Sequence, residues 1–459
     1  MDPISPKSSP LVRLAQSLGL DSAVFFAVLA RSWQLLTGPV TQVLIVVHFL
    51  TSTLDYYYAF NSLLGTQIFI ELGLSVIVIA ISSHEWAKLS LVEGMPVGDS
   101  DALARLASLH RRMTRWYSIA AGVFLVAMSA GGMLYFGATQ EAATRAVESW
   151  TFPWMVMVLV NAVQLVLLPM TAMLEGCHQV ATLNRVRFWQ GVAGTLAVWV
   201  AVSSGAGLWS LVISSSIRLA GEIYLVLFHY RSFFATLNAI QSGPEIHWKE
   251  EVLPLQWRIA VQGILLWFAS GLPALLVFSK LPEGEAGRLG MTWTILSAAQ
   301  AAALAWVETR RPQFGALIAE RNFSRLDQMF FRQARMSCLL MALAGCFLIT
   351  LVWIFGHRDE WICQRFSERL LPLTGTCLMA IGFITNQPGL CANIYVRAHK
   401  RDPFLVASSI SNVSVALLQL VLGLRFGVTG VAAGYCLGIS FVQTPLLLTV
   451  WWRTRREWH

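Results

Sequence analysis

Two apolar stretches at corresponding places in the two halves of the chain decide its fold. Residues 23–50 read AVFFAVLARSWQLLTGPVTQVLIVVHFL, and residues 257–279 read WRIAVQGILLWFASGLPALLVFS. Both are long enough to cross a bilayer, because a helix needs about 20 apolar residues to do so. Each carries one arginine, Arg31 or Arg258, followed by a predicted helix break. The breaks fall at Gly38 and Pro39 in the first stretch and at Gly271 and Pro273 in the second.

The two arginines and the two breaks indicate where a polar site lies. An arginine inside hydrocarbon is costly, so it usually lines a water-filled cavity or pairs with a carboxylate. Broken helices free backbone groups, which are tolerated only inside protein or beside water. A charge and a break that recur in matching spans of two halves are typical of the central site of a secondary transporter.

The composition agrees with a membrane protein. The 459 residues are 56% hydrophobic and 13% charged, whereas a soluble domain has about 25% charged residues. The net charge of +8 is interpreted as basic residues in loops that face anionic lipid. No nucleic acid partner is expected. The sequence contains no P-loop and no spacing typical of a metal site, so neither a metal nor another cofactor is expected.

Apolar runs of membrane-spanning length occur about twelve times. The first six run near residues 23–50, 57–82, 117–137, 152–174, 188–204 and 208–229. The second six run near residues 257–279, 290–307, 336–356, 370–395, 404–423 and 428–451. The sequence therefore predicts an all-α polytopic membrane protein with about twelve transmembrane helices.

Basic residues set the orientation and the repeat. With the N-terminus inside, 23 of the 33 Lys and Arg residues lie on cytoplasmic segments and 7 on outer loops, which favours two cytoplasmic termini. Two halves with an even number of spans insert the same way round, so the pseudo-twofold repeat is parallel. The predicted domains are an N-terminal six-helix lobe over 1–229, a cytoplasmic linker over 230–256 and a C-terminal six-helix lobe over 257–459.

Two pairs of membrane-embedded charges are candidate site residues. Arg31 and Glu71 lie at depths that match within about 3–5 Å, given a rise of about 1.5 Å per residue. They are interpreted either as a structural ion pair or as an anion contact with an ion-coupling carboxylate. Arg218 and Glu222 are four residues apart in span 6, hence on one helix face. They either neutralise each other or face a cavity.

The tenth span supplies a further candidate site. Asn386 and Gln387 precede a predicted break at Pro388, and Pro169 occupies the corresponding place in span 4. A packing kink and a substrate-binding role both remain open for this segment.

Several motifs resemble one family. The segments 56–60 (YYYAF), 69–75 (FIELGLS) and 84–87 (HEWA) resemble span 2 of bacterial polysaccharide-biosynthesis transporters. The segments 290–292 (GMT) and 312–319 (PQFGALIA) resemble the region around the loop after span 8 in the same group. This group belongs to the multidrug/oligosaccharidyl-lipid/polysaccharide exporter superfamily, which includes O-antigen flippases.

The resemblance implies two six-helix lobes around a central cavity that opens alternately to each side of the bacterial inner membrane. It implies a lipid-linked oligosaccharide as substrate, carried on undecaprenyl pyrophosphate, with other polysaccharide-assembly proteins as further partners. Arg31 and Arg258 are then candidate contacts for the pyrophosphate, with Arg397 near the inner mouth.

Two other functions compete with a flippase. An ion-coupled exporter of drugs or cations would use Glu71 and Glu222, although each has an arginine within reach. A membrane glycosyltransferase or polymerase usually needs a large extracytoplasmic loop, and the predicted outer loops are short. The sequence therefore favours a transporter that is not an enzyme, and it leaves the sugar and the coupling ion undetermined.

Overall fold

Long helices make up most of the protein. The computed structural model describes residues 22–138, 149–399 and 403–458. The helices of the first half are α1 (Ser22–His48), α2 (Thr51–Leu64), α3 (Ile68–Glu71), α4 (Leu74–Trp86), α5 (Ser100–Ala138), α6 (Thr151–Gly176), α7 (Val180–Ser203), α8 (Trp209–Ile223) and α9 (Arg231–Ala239). Those of the second half are α10 (Leu253–Ser270), α11 (Leu272–Lys280), α12 (Glu285–Glu308), α13 (Arg311–Ala319), α14 (Phe323–Phe355), α15 (Trp361–Arg369), α16 (Leu373–Ala398), α17 (Leu405–Leu437) and α18 (Thr444–Trp458).

Short elements complete the description. Strands β1 (Leu89–Val92) and β2 (Met95–Gly98) form an antiparallel hairpin in which Leu89 pairs with Gly98. A 3-10 turn covers Gly65–Gln67. The π-helical segments are Tyr224–His229, Trp248–Val252 and Gly438–Gln443.

The number of spans follows from these helices in the described part of the chain. Six helices are long and apolar enough to cross a membrane, or up to eight if each of two bent pairs is one span. Three further helices, α1, α7 and α12, have membrane-spanning length but carry more polar side chains. The run 405–458 contains a non-helical residue, Gly427, with φ 65° and ψ −150°, so it comprises two spans. The resulting twelve segments match the predicted spans one to one.

The predicted helix breaks require correction at three of four places. Gly271 separates α10 from α11, and Pro273 lies in the first turn of α11. In contrast, α1, α6 and α16 continue through their prolines, which are Pro39, Pro169 and Pro388. A proline removes one backbone hydrogen bond, and a long apolar helix in a packed bundle retains the others.

One break was not predicted and lies beside Glu71. Leu72 and Gly73 both have positive φ, 51° and 69°, and they separate α3 from α4. A positive φ is unusual for a leucine, because its Cβ approaches the backbone in that conformation. The interruption therefore places the Glu71 carboxylate at a helix end inside span 2.

The described residues divide into two compact units. The first contains residues 22–44, 70–135 and 149–257. The second contains residues 45–69, 136–138, 258–399 and 403–458. The predicted division into lobes over 1–229 and 257–459 stays a prediction. The segment 45–69 packs with the second half, however, although the sequence assigned it to the first lobe.

The first unit is built on α6, which packs against α4, α7 and α8. Its linker segment lies on α5, because arginines of α5 bind backbone carbonyls of the linker. Arg105 Nη1 donates to the Glu245 carbonyl at 3.4 Å, and Arg112 Nη1 donates to the Ile246 carbonyl at 3.4 Å. Arg105 also forms ion pairs with Glu85 at 2.8 Å and with Glu251 at 2.6 Å.

The second unit is built on α16, which packs against α12, α14, α17 and α18. One end of this bundle has a core of fully buried apolar side chains that includes Phe314, Phe330 and Tyr395. Helix α2 packs on α12 and α11 within this unit. The contact is close because Gly290 of α12 lies under the Tyr58 ring, where an added Cβ would come within 2.2 Å.

A buried carboxylate fixes the start of α12. Asp55 of α2 is 0% exposed and accepts the backbone N–H groups of Gly284 at 2.7 Å and Gly287 at 2.6 Å. The first N–H groups of a helix lack partners within the helix, and the N-terminal end carries partial positive charge. Arg369, also buried, donates to the Phe49 carbonyl at 2.7 Å, so both charges are held inside the same unit.

Candidate functional site

A cavity lies at the break between α10 and α11 in the second unit. Its volume is about 290 Å³. Pockets for small molecules have volumes of about 300–1,000 Å³, so this cavity matches the small end of that range. Its wall is polar and aromatic and includes Tyr58, Asn61, Trp267, Trp293 and Thr294.

The break itself is stabilised by side chains from other helices. Pro273 has no N–H, so the carbonyl of Ala269 loses its usual partner in the helix. Gln419 of α17 replaces that partner, since its Nε2 donates to the Ala269 carbonyl at 2.8 Å. Trp267 is held similarly, because its Nε1 donates to the Ser62 carbonyl at 3.1 Å. The break between α10 and α11 is therefore an ordered structure beside the cavity, and the Ala269 carbonyl keeps a hydrogen-bond partner.

A larger groove lies between the C-terminal end of α12 and the N-terminal end of α14. Its volume is about 1150 Å³. Three exposed arginines line it, with the aromatic side chains of Trp306 and Phe331 beside them. These arginines are Arg310, Arg332 and Arg335.

The charge of this groove is positive. Asp327 is its lining carboxylate, and Arg455 neutralises it with an Nη2–Oδ2 distance of 2.5 Å. The Tyr395 hydroxyl also donates to Asp327, at 2.7 Å. Among the described residues, no carboxylate lies within 4 Å of Arg332 or Arg335. The groove therefore presents guanidinium groups that match the bidentate geometry of a phosphate.

The first unit has a second groove, of about 810 Å³, between α5 and the linker. Arg112 lines it, but its guanidinium lies 5.5 Å from the Trp248 ring centroid and binds the linker backbone. Glu245 and Glu250 also line this groove and offset Lys249. The two grooves thus differ in charge, and the one in the second unit is the candidate anion site.

The arginines predicted as substrate contacts are exposed. This holds for Arg31, Arg258, Arg218 and Arg397. Neither Arg310 nor Arg332 was among the predicted site residues, although the long basic loop after span 8 is visible in the sequence. Arg31, Arg258, Arg218 and Arg397 do not line the basic groove of the second unit.

The two carboxylates predicted to couple ions have different surroundings. Glu71 accepts a hydrogen bond from the Ser75 hydroxyl, one turn further along the same span. Glu222 is half-buried, and the positive charges that act on it are those of Arg218 and Arg187. Within the described residues, Arg218 and Glu222 do not approach within 4 Å, so their predicted ion pair is absent. An ion-coupling role for either carboxylate stays a prediction.

Asn386 and Gln387 bind other helices. Asn386 is 6% exposed and its Oδ1 accepts from Gln443 Nε2 at 3.0 Å. Gln387 is 0% exposed and its Nε2 donates to Ser337 Oγ at 2.7 Å. Both amides thus bond to neighbouring helices, as buried amides in an apolar bundle do, and a substrate-binding role for either stays a prediction.

Sequence reasoning missed three residues that matter here, which are Asp55, Tyr58 and Gln419. Asp55 adjoins the segment 56–60, which carries part of the family resemblance, and Tyr58 lies within it. Only the tertiary structure shows the contacts of these two residues. Gln419 gives no local signal, because its role depends on the carbonyl that a proline on another helix releases. Asp55 had one available signal, since a lone carboxylate at the end of an apolar span requires a partner.

Together these features define a polytopic helical membrane protein with an internal polar cavity and a basic groove in its second unit. The twelve spans and the break in the seventh are the architecture expected of a transporter fold.

Comparison with solved structures identifies that fold. The chain is similar to an inward-facing multidrug resistance MATE family transporter of the MOP superfamily, with a TM-score of 0.66 and 13% identity over 93% of this chain and 95% of that one. It is similar to the lipid II flippase MurJ in an inward closed conformation, with a TM-score of 0.59 and 12% identity over 93% of this chain and 87% of that one. It is also similar to a MOP superfamily transporter from Pyrococcus furiosus, with a TM-score of 0.57 and 14% identity over 98% of both chains.

These likenesses confirm the predicted fold class, an all-α polytopic membrane fold. Two of these three structures are transporters and the third is a lipid II flippase, so the shared fold does not identify a substrate. No family model and no curated protein sequence matches the chain.

Proposed function

We propose that the protein is a secondary transporter or flippase that moves a lipid-linked oligosaccharide across the bacterial inner membrane by alternating access. The observation that carries the proposal is the basic groove of the second unit, with Arg310, Arg332 and Arg335 on its wall and its lining carboxylate neutralised. An exporter of cations would need acidic side chains in the groove, because arginines without a neighbouring carboxylate repel a cation. An anionic headgroup such as a pyrophosphate fits this charge.

The side of the membrane follows from the basic residues of the loops. Lys and Arg concentrate on the cytoplasmic side of membrane proteins. The groove is formed where the basic loop after span 8 meets α14, so we assign it to the cytoplasmic side. Headgroups assembled in the cytoplasm then meet the arginines first.

The test is lipid flipping in proteoliposomes that contain the purified protein. The probe is a short-chain polyprenyl pyrophosphate that carries one labelled sugar, and the readout is its exposure on the opposite leaflet. Arg332→Glu is expected to lower the flipping rate at subsaturating probe by about tenfold to hundredfold, because one charge-assisted contact contributes about 1.5–3 kcal/mol.

Arg325→Glu is the matched control, since Arg325 lies on the same helix, is exposed and does not line the groove. Its flipping rate is expected to equal that of the wild type. Equal rates for Arg332→Glu and the wild type would contradict the role of the groove.

A second candidate function is the ion-coupled export of cationic drugs. Glu71 supports it, because this carboxylate lies at a helix interruption within a span and accepts a hydroxyl hydrogen bond. Under this alternative, proteoliposomes accumulate a cationic dye when a proton or sodium gradient is applied, and Glu71→Gln abolishes that accumulation. The flippase proposal expects no dye transport in either protein.

A further inference from the structure

The carboxylate on the wall of the basic groove is bound by an arginine from a different helix. Arg455 of α18 contacts Asp327 of α14 through two nitrogen atoms, with Nη2–Oδ2 at 2.5 Å and Nε–Oδ1 at 3.1 Å. A pair of N–H···O bonds of this kind is the strongest arrangement of an arginine and a carboxylate. The side chain of Arg455 is 31% exposed and that of Asp327 is 18% exposed, so water still reaches the pair.

Two aromatic rings flank the same guanidinium group. Its Cζ lies 5.6 Å from the Phe331 ring centroid and 5.7 Å from that of Trp451, and the two rings are nearly perpendicular, at 86°. Asp327 and Phe331 are four residues apart on α14, so they share a helix face, and the same spacing joins Trp451 and Arg455 on α18. A carboxylate with two aromatic rings within about 6 Å is a chemistry that binds a cation.

Arg455 therefore occupies, from within the protein, a site that suits a cation. Without its charge, the Asp327 carboxylate would be uncompensated on the wall of the groove. The helix rise of about 1.5 Å per residue places Asp327 about 7.5 Å along α14 from Arg332. This separation is within the Debye length, which is about 8 Å at physiological ionic strength. An unpaired Asp327 would therefore repel an anion held at Arg332.

We propose that Arg455 is the specificity-determining residue of the basic groove. Its guanidinium group fills the cation site formed by Asp327, Phe331 and Trp451, and this occupancy keeps the groove selective for anions. Removal of that one charge shifts the preference of the groove from anions towards cations. The inference rests on the proposed function, because it concerns the same groove, but binding is measured apart from transport.

The experiment is equilibrium binding to the full-length protein in a nonionic detergent at low salt. Two probes with the same short polyprenyl chain are used, one with a pyrophosphate headgroup and one with a trimethylammonium headgroup. Arg455→Gln is expected to weaken binding of the pyrophosphate probe about twofold to thirtyfold, since a unit charge about 8 Å away acts through a dielectric between that of water and that of a protein surface. The same variant is expected to bind the trimethylammonium probe more tightly, because the carboxylate and the two rings are vacated.

Three further variants separate the charge of Arg455 from a structural role. The double variant Asp327→Asn with Arg455→Gln has the net charge of the wild type, so its affinity for the pyrophosphate probe is expected to return to within about twofold of the wild type. Asp327→Asn alone leaves the charge of Arg455 uncompensated and is expected to raise that affinity by about twofold to thirtyfold. Arg453→Gln is the matched control, since Arg453 lies on the same helix, is exposed and does not line the groove. Its affinities are expected to equal those of the wild type.

The inference is overturned if Arg455→Gln binds both probes as the wild type does, or if the double variant binds the pyrophosphate probe as weakly as Arg455→Gln. An unchanged affinity in Asp327→Asn overturns it as well, which keeps the test decisive where Arg455→Gln does not fold. Flipping is assayed on the same proteins. A changed probe preference in Arg455→Gln without flipping by the wild type contradicts only the proposed function, whereas flipping by the wild type with an unchanged preference in Arg455→Gln contradicts only this inference.

Discussion

The Asp55 carboxylate gives the sharpest prediction for stability. Asp55→Ala removes the acceptor of two buried N–H groups, those of Gly284 and Gly287. Each unsatisfied donor costs about 1–3 kcal/mol. Loss of the charge at the helix N-terminus costs up to about 2 kcal/mol more in a buried setting. We therefore expect Asp55→Ala to lower the free energy of unfolding by about 3–6 kcal/mol.

The assay is equilibrium unfolding of the purified protein in mixed micelles with increasing sodium dodecyl sulfate, followed by near-ultraviolet circular dichroism. Asp55→Asn keeps the shape of the side chain and one acceptor, so its loss should be smaller. Asp359→Ala is the control, because this aspartate is exposed and surface substitutions change stability by about 0.5 kcal/mol or less. A loss below about 1 kcal/mol in Asp55→Ala would show that the carboxylate is not needed by the two N–H groups, because even one unsatisfied buried donor costs that much.

Three further predictions concern other parts of the fold. Gln419→Leu leaves the Ala269 carbonyl without its partner and should lower the free energy of unfolding by about 1–3 kcal/mol in the same assay. An unchanged free energy would show that the Ala269 carbonyl has another hydrogen-bond partner. Burial lowers the pKa of His110 from 6.5 to about 4, so the unfolded state binds more protons between those values, and stability should fall as pH falls from about 6.5 to about 4. His110→Gln should flatten that pH dependence, and a profile identical to the wild type would contradict it. Burial raises the pKa of Glu251, but the hydrogen bond from Arg105 outweighs burial and lowers this pKa below 4.5. The Glu251–Arg105 pair should therefore contribute about 1 kcal/mol or less to stability above pH 4.5. This contribution should be lost as pH falls further, and Glu251→Gln should remove it.

The spans were predictable because a bilayer imposes them. Hydrophobic length alone places α1, α7 and α12, although each carries polar side chains. The break at Gly271 was predicted from a glycine and a proline close together, but the same pairing at Gly38 and Pro39 leaves α1 continuous, so the pattern alone does not decide a break. The break at Leu72 was not predicted, since nothing local forces a leucine into a positive φ.

The site was less predictable than the spans. Arginine in an apolar stretch is conspicuous, so Arg31 and Arg258 were singled out. Arg332 lies in α14, within a stretch rich in basic residues, and does not stand out from its neighbours. The groove around Arg332 depends on how α12 and α14 pack, and no local sequence pattern predicts that geometry. Asn386 and Gln387 stood out as polar residues inside a span, but only the structure shows the neighbouring helices to which they bond.

If the basic groove binds the substrate, the protein binds an anionic lipid headgroup in preference to a cation. The most direct test is equilibrium binding to the purified protein of two amphiphiles with equal chains, one with a pyrophosphate-linked sugar and one with a quaternary ammonium group, at low and high salt. We expect tighter binding of the anionic amphiphile, with an affinity that falls as salt rises because the arginines are exposed to solvent. Equal affinity for the two, or tighter binding of the cation, would contradict it.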